Sequence, residues 1–125
     1  MKLLVVEDEK TVRELLLHVF EGEGYEVTEA ATSEDALLAI GSDTIDIVIL
    51  DLVLGPKGKA GLQVLRDLRS YADTARIPVI ILTGHILTER DQEQIRADQA
   101  YVFYKPLKIS ELLAYVARLI PHAVP

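Results

Sequence analysis

A chain of 125 residues, half of them hydrophobic, is enough for one domain with a sizeable core. Its formal net charge of −7 argues against direct nucleic-acid binding, which depends on lysine and arginine neutralising phosphates. The absence of cysteine excludes a disulfide scaffold, a thiolate metal site and a cysteine nucleophile.

The chain opens on an apolar run, Lys2–Val6, read as a strand that closes on Glu7-Asp8-Glu9. Val12, Leu15, Leu16, Val19 and Phe20 then keep helical spacing, and Gly22 and Gly24 end that helix. Tyr25–Glu29 alternates like a half-buried strand, and Ser33 is expected to cap a short helix through Ala36, Leu37 and Ile40, stopped by Gly41-Ser42. Ile45–Leu50 is the next strand and delivers Asp51, after which a glycine-rich loop runs from Gly55 to Gly61. Leu62, Val64, Leu65 and Leu68 mark a third helix, and Val79–Leu82 a strand ending in Thr83.

From Thr88 to Asp98 the pattern predicts a helix capped by Thr88 and Asp91 and largely solvated, since no large apolar residue lies between Glu89 and Gln94. The run Tyr101–Tyr104 ends in Lys105-Pro106, and Ile109, Leu112, Leu113, Val116, Leu119 and Ile120 draw the stripe of a last helix. The runs at Leu3, Ile47, Val79 and Tyr101 are expected to be strands buried on both faces.

Five strand–helix units predict an α/β fold, a doubly wound, flavodoxin-like parallel sheet in the order 2-1-3-4-5 with helices on both faces. No targeting segment opens the chain, and no stretch approaches the roughly 20 apolar residues of a membrane span, so a soluble, cytoplasmic protein without membrane contact is expected.

A parallel sheet gathers its polar strand ends at one carboxyl edge, where such folds bind ligands. A triplet such as Glu7-Asp8-Glu9 alone reads as a solvated helix start, but Asp51 arrives from an independent buried strand at the same edge. Carboxylates so crowded repel, and a hard cation with oxygen ligands, Mg²⁺ above all, answers that repulsion. Thr83 and Lys105 bring a hydroxyl and an ammonium able to donate to phosphoryl oxygens. Phosphoryl transfer to a carboxylate needs these parts together.

The residues Leu4-Val5-Val6-Glu7-Asp8, Ile49-Leu50-Asp51-Leu52, Ile77-Pro78-Val79-Ile80-Ile81-Leu82-Thr83-Gly84 and Tyr104-Lys105-Pro106 carry a resemblance. From Lys2 to about Ile120 the chain resembles the receiver domain of two-component response regulators, of the chemotaxis-regulator kind. The resemblance implies that Asp51 accepts a phosphoryl group from a sensor histidine kinase or a histidine phosphotransfer protein. It also implies Mg²⁺ held by Asp8, Asp51 and the backbone carbonyl of Val53, with Glu7 assisting through water. Thr83 would hydrogen-bond the phosphoryl group and Lys105 pair with it, across a Lys105–Pro106 bond that is usually cis in this family. The face of the fourth helix, fifth strand and fifth helix is the family's usual output surface. Such a chain is a phosphoacceptor that catalyses its own phosphotransfer and slow self-dephosphorylation, rather than an enzyme acting on other substrates.

Three departures from the family stand out. After Asp51 the usual proline and glycine positions are met only by Pro56 and Gly61, so about two residues are inserted, in a loop bearing Lys57 and Lys59. A tolerated surface insertion is the plainer explanation. The position three before the lysine, an aromatic in the family, is Val102, flanked by Tyr101 and Phe103. Either a bulge turns Tyr101 into that role, or the coupling of threonine to an aromatic ring is absent. The positions two beyond Asp51 and Thr83 are Val53 and His85. Valine offers no group to orient a hydrolytic water, which predicts slow self-dephosphorylation. His85 reads as a loop residue, and His18 and His122 as ordinary helix and tail residues.

Residues 1–121 are expected to form the receiver unit and 122–125 a tail or the start of a linker. Expected partners are the phosphodonor and either a downstream protein or an output domain on a longer chain, with a homodimer formed on phosphorylation a further candidate. Three other readings compete. A flavodoxin-like ligand binder would need a phosphate-cradling loop after the first strand, where acids stand instead. A haloacid-type phosphatase would want Asp-x-Asp there, which Glu7-Asp8-Glu9 does not provide. A degenerate receiver that binds without phosphorylation is disfavoured by the complete set of site residues but kept open by Val102.

Overall fold

The chain alternates strand and helix throughout: β1 (Lys2–Val6), α1 (Lys10–Gly22), β2 (Glu26–Ala30), α2 (Ser33–Ser42), β3 (Ile47–Asp51), α3 (Ala60–Ser70), β4 (Val79–Thr83), α4 (Glu89–Ala97), β5 (Tyr101–Tyr104) and α5 (Ile109–Leu119). These come from a computed structural model that describes residues 1–52 and 60–119. The strands form one parallel sheet in the order β2-β1-β3-β4-β5, as the alternation predicts.

Period-two alternation divides each central strand between two cores. Leu4, Val6, Val48, Leu50, Val79 and Ile81 face one side, with Ala36 of α2, Leu65 and Leu68 of α3 and Ile95 of α4. Leu3, Val5, Ile47, Ile49, Ile80 and Leu82 face the other, with Leu16 and Phe20 of α1 and Leu112 and Val116 of α5. Both faces are covered, so β1, β3 and β4 read as unbroken apolar runs. Phe20 is wholly buried and its ring meets Tyr25 edge-on at 5.9 Å, burial of a kind that contributes about 1.5–3 kcal/mol.

Four sequence expectations need correction. β5 is not buried on both faces: as an edge strand it leaves Tyr101 and Tyr104 exposed. The cap of α2 is Thr32, whose hydroxyl accepts the Asp35 N–H at 3.1 Å, and Ser33 is already helical. Gly41 and Ser42 complete α2 instead of stopping it, with Asp43 at the C-cap. β2 and β3 begin at Glu26 and Ile47, one and two residues beyond their expected starts. Elsewhere the turn chemistry is as expected. Gly24 takes a φ of +93°, a left-handed conformation natural to glycine, and Thr88 with Asp91 forms a reciprocal capping box on α4.

β5 pairs with β4 residue by residue, Ile80 with Tyr101 through Thr83 with Tyr104. No bulge interrupts this register, which overturns the alternative that Tyr101 rotates to the other face. Tyr101 and Phe103 instead both meet Tyr115 of α5 edge-on at 5.2 Å, while Val102 joins the opposite core. The aromatic position of the family is therefore aliphatic here.

Candidate functional site

Parallel pairing brings the polar strand ends together. β1 and β3 run in register with Val6 beside Leu50, so the next residues, Glu7 and Asp51, leave the sheet side by side. Asp51 lies opposite Leu82, and Thr83 opposite Tyr104, one residue short of Lys105. The Lys105 N–H donates to the Thr83 carbonyl at 2.8 Å, and the Lys105–Pro106 bond is cis.

One carboxylate oxygen from each of Glu7, Asp8 and Asp51 lies within 4.8 Å of the others. Glu7 and Asp51 are buried and Asp8 is exposed. Against these three acids stands Lys105, with Nζ 3.5 Å from Glu7 Oε1 and 3.6 Å from Asp51 Oδ2. Among the described residues, one ammonium thus faces three carboxylates. The Glu7 carboxyl is pushed up from its ordinary 4.5 to about 8, first by burial and then by contact with Asp51, while Lys105 pulls the other way. Glu7 Oε2 is buried without a hydrogen-bond partner. An orphaned carboxylate oxygen beside two further carboxylates is the donor set that a hard divalent cation satisfies.

That shift has a measurable sign. With no divalent ion present, folded protein keeps a proton on Glu7 that the unfolded chain releases above 4.5, so this contribution to stability is lost as pH rises from 4.5 through about 8. Glu7→Gln removes the titration. Thermal melts in chelator are expected to show the variant about 4 °C or more above the parent at alkaline pH, the two converging towards pH 4.5. Parallel curves at every pH would contradict this.

The acids open onto a cleft of about 290 Å³, lined by Glu7, Asp8, Glu9, Asp51, Gly84, His85 and Lys105. Thr83 is fully buried and absent from the described lining, and its hydroxyl oxygen accepts the His85 N–H at 3.1 Å. Of the expected site residues the structure thus groups Glu7, Asp8, Asp51 and Lys105, and sets Thr83 beside them one layer deeper. Val53 and the loop lysines Lys57 and Lys59 lie outside the described residues.

One contributor was not legible beforehand, and a second, Gly61, was matched to the family's glycine without its physical reason. Arg13, one turn into α1, donates from Nη1 to the Glu7 carbonyl at 2.9 Å and from Nε to Glu29 Oε1 at 3.0 Å, pinning the acidic loop against β2. No sequence pattern marks it, because one partner is a backbone carbonyl and the other, Glu29, lies 16 residues away on β2. Gly61 is the other. Its N–H donates to the Leu52 carbonyl at 3.1 Å, and a Cβ there would stand 2.9 Å from Leu52 Cα while overlapping the Asp51 carbonyl oxygen. The start of α3 can approach the Asp51–Leu52 peptide this closely only through glycine. Gly61→Ala is expected to cost about 1–3 kcal/mol, read by denaturant unfolding, through displacement of that peptide. An unchanged midpoint would show that the backbone gives way freely.

A family model for the response regulator receiver domain matches residues 3–117. The phosphate regulon transcriptional regulatory protein PhoB of Rhizobium meliloti is 33% identical, over 99% of this chain and 54% of its own length. The chain thus spans about half the length of that relative and of others like it. Sporulation initiation phosphotransferase F of Bacillus subtilis is 31% identical, over 96% of this chain and 94% of its own. Among solved structures, the receiver domain of a Francisella response regulator superposes with a TM-score of 0.81 at 29% identity, covering 94% of each chain.

Proposed function

The chain belongs to the response regulator receiver family of two-component signalling, and from that premise we propose that Asp51 is its phosphoacceptor and Mg²⁺ its cofactor. The observation that carries this is the grouping of three carboxylate oxygens within 4.8 Å, with Lys105 Nζ 3.6 Å from Asp51. Asp8 and Asp51 would hold the ion directly and Glu7 would support it through water; the Val53 carbonyl that the family resemblance adds to this set lies outside the described residues. When bound, Mg²⁺ neutralises charge developing on the phosphoryl oxygens and keeps the carboxylates ionised.

An Asp51 carboxylate oxygen attacks the phosphorus of a phosphohistidine on a sensor kinase or phosphotransfer protein. A P–O bond forms, the P–N bond breaks, and the imidazole leaves with the electron pair. The Lys105 ammonium turns from the acids to the incoming phosphoryl oxygens, where charge assistance makes its hydrogen bonds strong. Thr83 uses its hydroxyl proton in the same way, drawing the loop at Gly84-His85 inward. The downstream event is a shift in population between two arrangements of the α4–β5–α5 face. Ile86, 97% exposed, and Tyr104, 58% exposed, give that region apolar contacts for a partner or output domain.

Incubation with acetyl phosphate and Mg²⁺, followed by intact mass measurement, tests the reading. A gain of one phosphoryl group that chelator prevents is expected. Equal uptake with and without the ion, or none with it, contradicts the proposal.

A further inference from the structure

At the opposite edge of the sheet from the acidic cleft, a cavity of about 560 Å³ opens where β4 and β5 begin. Its walls include Arg69 of α3, Arg76 from the loop before β4 and Arg96 of α4. Among the described lining residues there is no acid, although the chain carries 20 acidic residues against 13 basic ones. Asp98, next to the lining residue Gln99, offsets Arg69 electrostatically, which leaves Arg76 and Arg96 as the cations still to be met.

The three arginines are not equivalent. Arg69 is structural: Nε donates to the Asp98 carbonyl and Nη1 to the Ile77 carbonyl, both at 2.7 Å, which ties the loops before β4 and β5 to α3. The Arg76 and Arg96 side chains are exposed and make no ion pair or hydrogen bond among the described residues. Their guanidinium forks are free to hold a phosphate bidentately. Tyr101, 42% exposed and packed edge-on against Tyr115, also lines the cavity, with Pro78 and Leu119 as apolar wall. The volume lies within the range of small-molecule sites.

We propose that this cavity binds a nucleotide, its phosphates on Arg76 and Arg96 and its base against Tyr101. The features that carry this are two guanidinium forks without partners among the described residues, a partly exposed tyrosine in the same lining, and space for a ligand of that size. The site is separate from the Asp51 cleft and does not depend on phosphorylation there.

The test is titration of isotope-labelled protein with ATP in Mg²⁺-free buffer containing chelator, so that no cation can bridge phosphates to the acidic cleft. Saturable shifts at the amides of Arg76, Arg96 and Tyr101 are expected, with a Kd of about 1 mM or tighter. Arg76→Gln combined with Arg96→Gln is expected to weaken ATP at least about tenfold, both forks being charge-assisted contacts. Tyr101→Leu is expected to weaken ATP while leaving inorganic tripolyphosphate unaffected. Absence of saturation, shifts centred on Asp51, unchanged affinity in the double variant, or tripolyphosphate binding as tightly as ATP would each overturn the proposal. The shift map on the parent protein decides the matter even if a variant fails to fold.

Discussion

Asp51→Asn is expected to lower phosphoryl uptake from acetyl phosphate below detection, a loss of about 10³-fold or more, because an amide oxygen is a far weaker nucleophile than a carboxylate. The same substitution is expected to raise thermal stability in chelator at alkaline pH. It removes the charge that, after burial, does most to push the Glu7 carboxyl up, and it leaves Lys105 with one fewer acid to balance. The opposite signs matter. A variant that merely misfolded would lose both uptake and stability, whereas loss of the nucleophile with relief of repulsion moves them apart. Retained uptake would transfer the acceptor role to Asp8 or Glu7.

Lys105→Gln carries the second large effect. Its ammonium stands within 3.6 Å of both buried acids, so it shares the cluster with any divalent ion. Removing that positive charge is expected to tighten Mg²⁺ binding, measured by calorimetry at alkaline pH where Glu7 is ionised. Phosphoryl uptake is nevertheless expected to slow by about 10²-fold, since a preorganised cation aimed at developing charge is worth about that much. Tighter metal and slower chemistry together separate a transition-state role from a metal-holding one. Weaker Mg²⁺ binding in the variant would mean that Lys105 instead holds the acids in place for the ion.

The sequence made most of the frame legible. Buried central strands have no polar face to confuse the pattern, so β1, β3 and β4 stand out as apolar runs, and their order follows from alternation with helices. Asp51 was legible for the same reason, as a charge at the end of a run with no other polar residue. What was harder to read depends on the third dimension. β5 carries the same apolar composition as its neighbours but lies at the edge, and composition does not report how many neighbours a strand has. The orientation of Tyr101 and Phe103 required the register with β4. Arg13 reaches a backbone carbonyl and a glutamate 16 residues away, which leaves no local trace in residue type, and the need for glycine at position 61 appears only when α3 meets the Asp51–Leu52 peptide. The Thr32 cap illustrates a local ambiguity: Thr32 and Ser33 are both competent caps, and a single residue of helix phase decides between them.

The most direct test is to locate the acyl phosphate chemically. Protein phosphorylated with acetyl phosphate and Mg²⁺ is reduced with borohydride, which converts an aspartyl phosphate to homoserine, and then mapped by peptide mass spectrometry. Homoserine at position 51 alone, absent when Mg²⁺ is chelated beforehand, is the expected result. Homoserine at position 8, or none anywhere in a protein that still saturates with Mg²⁺, would contradict the assignment of Asp51 as acceptor.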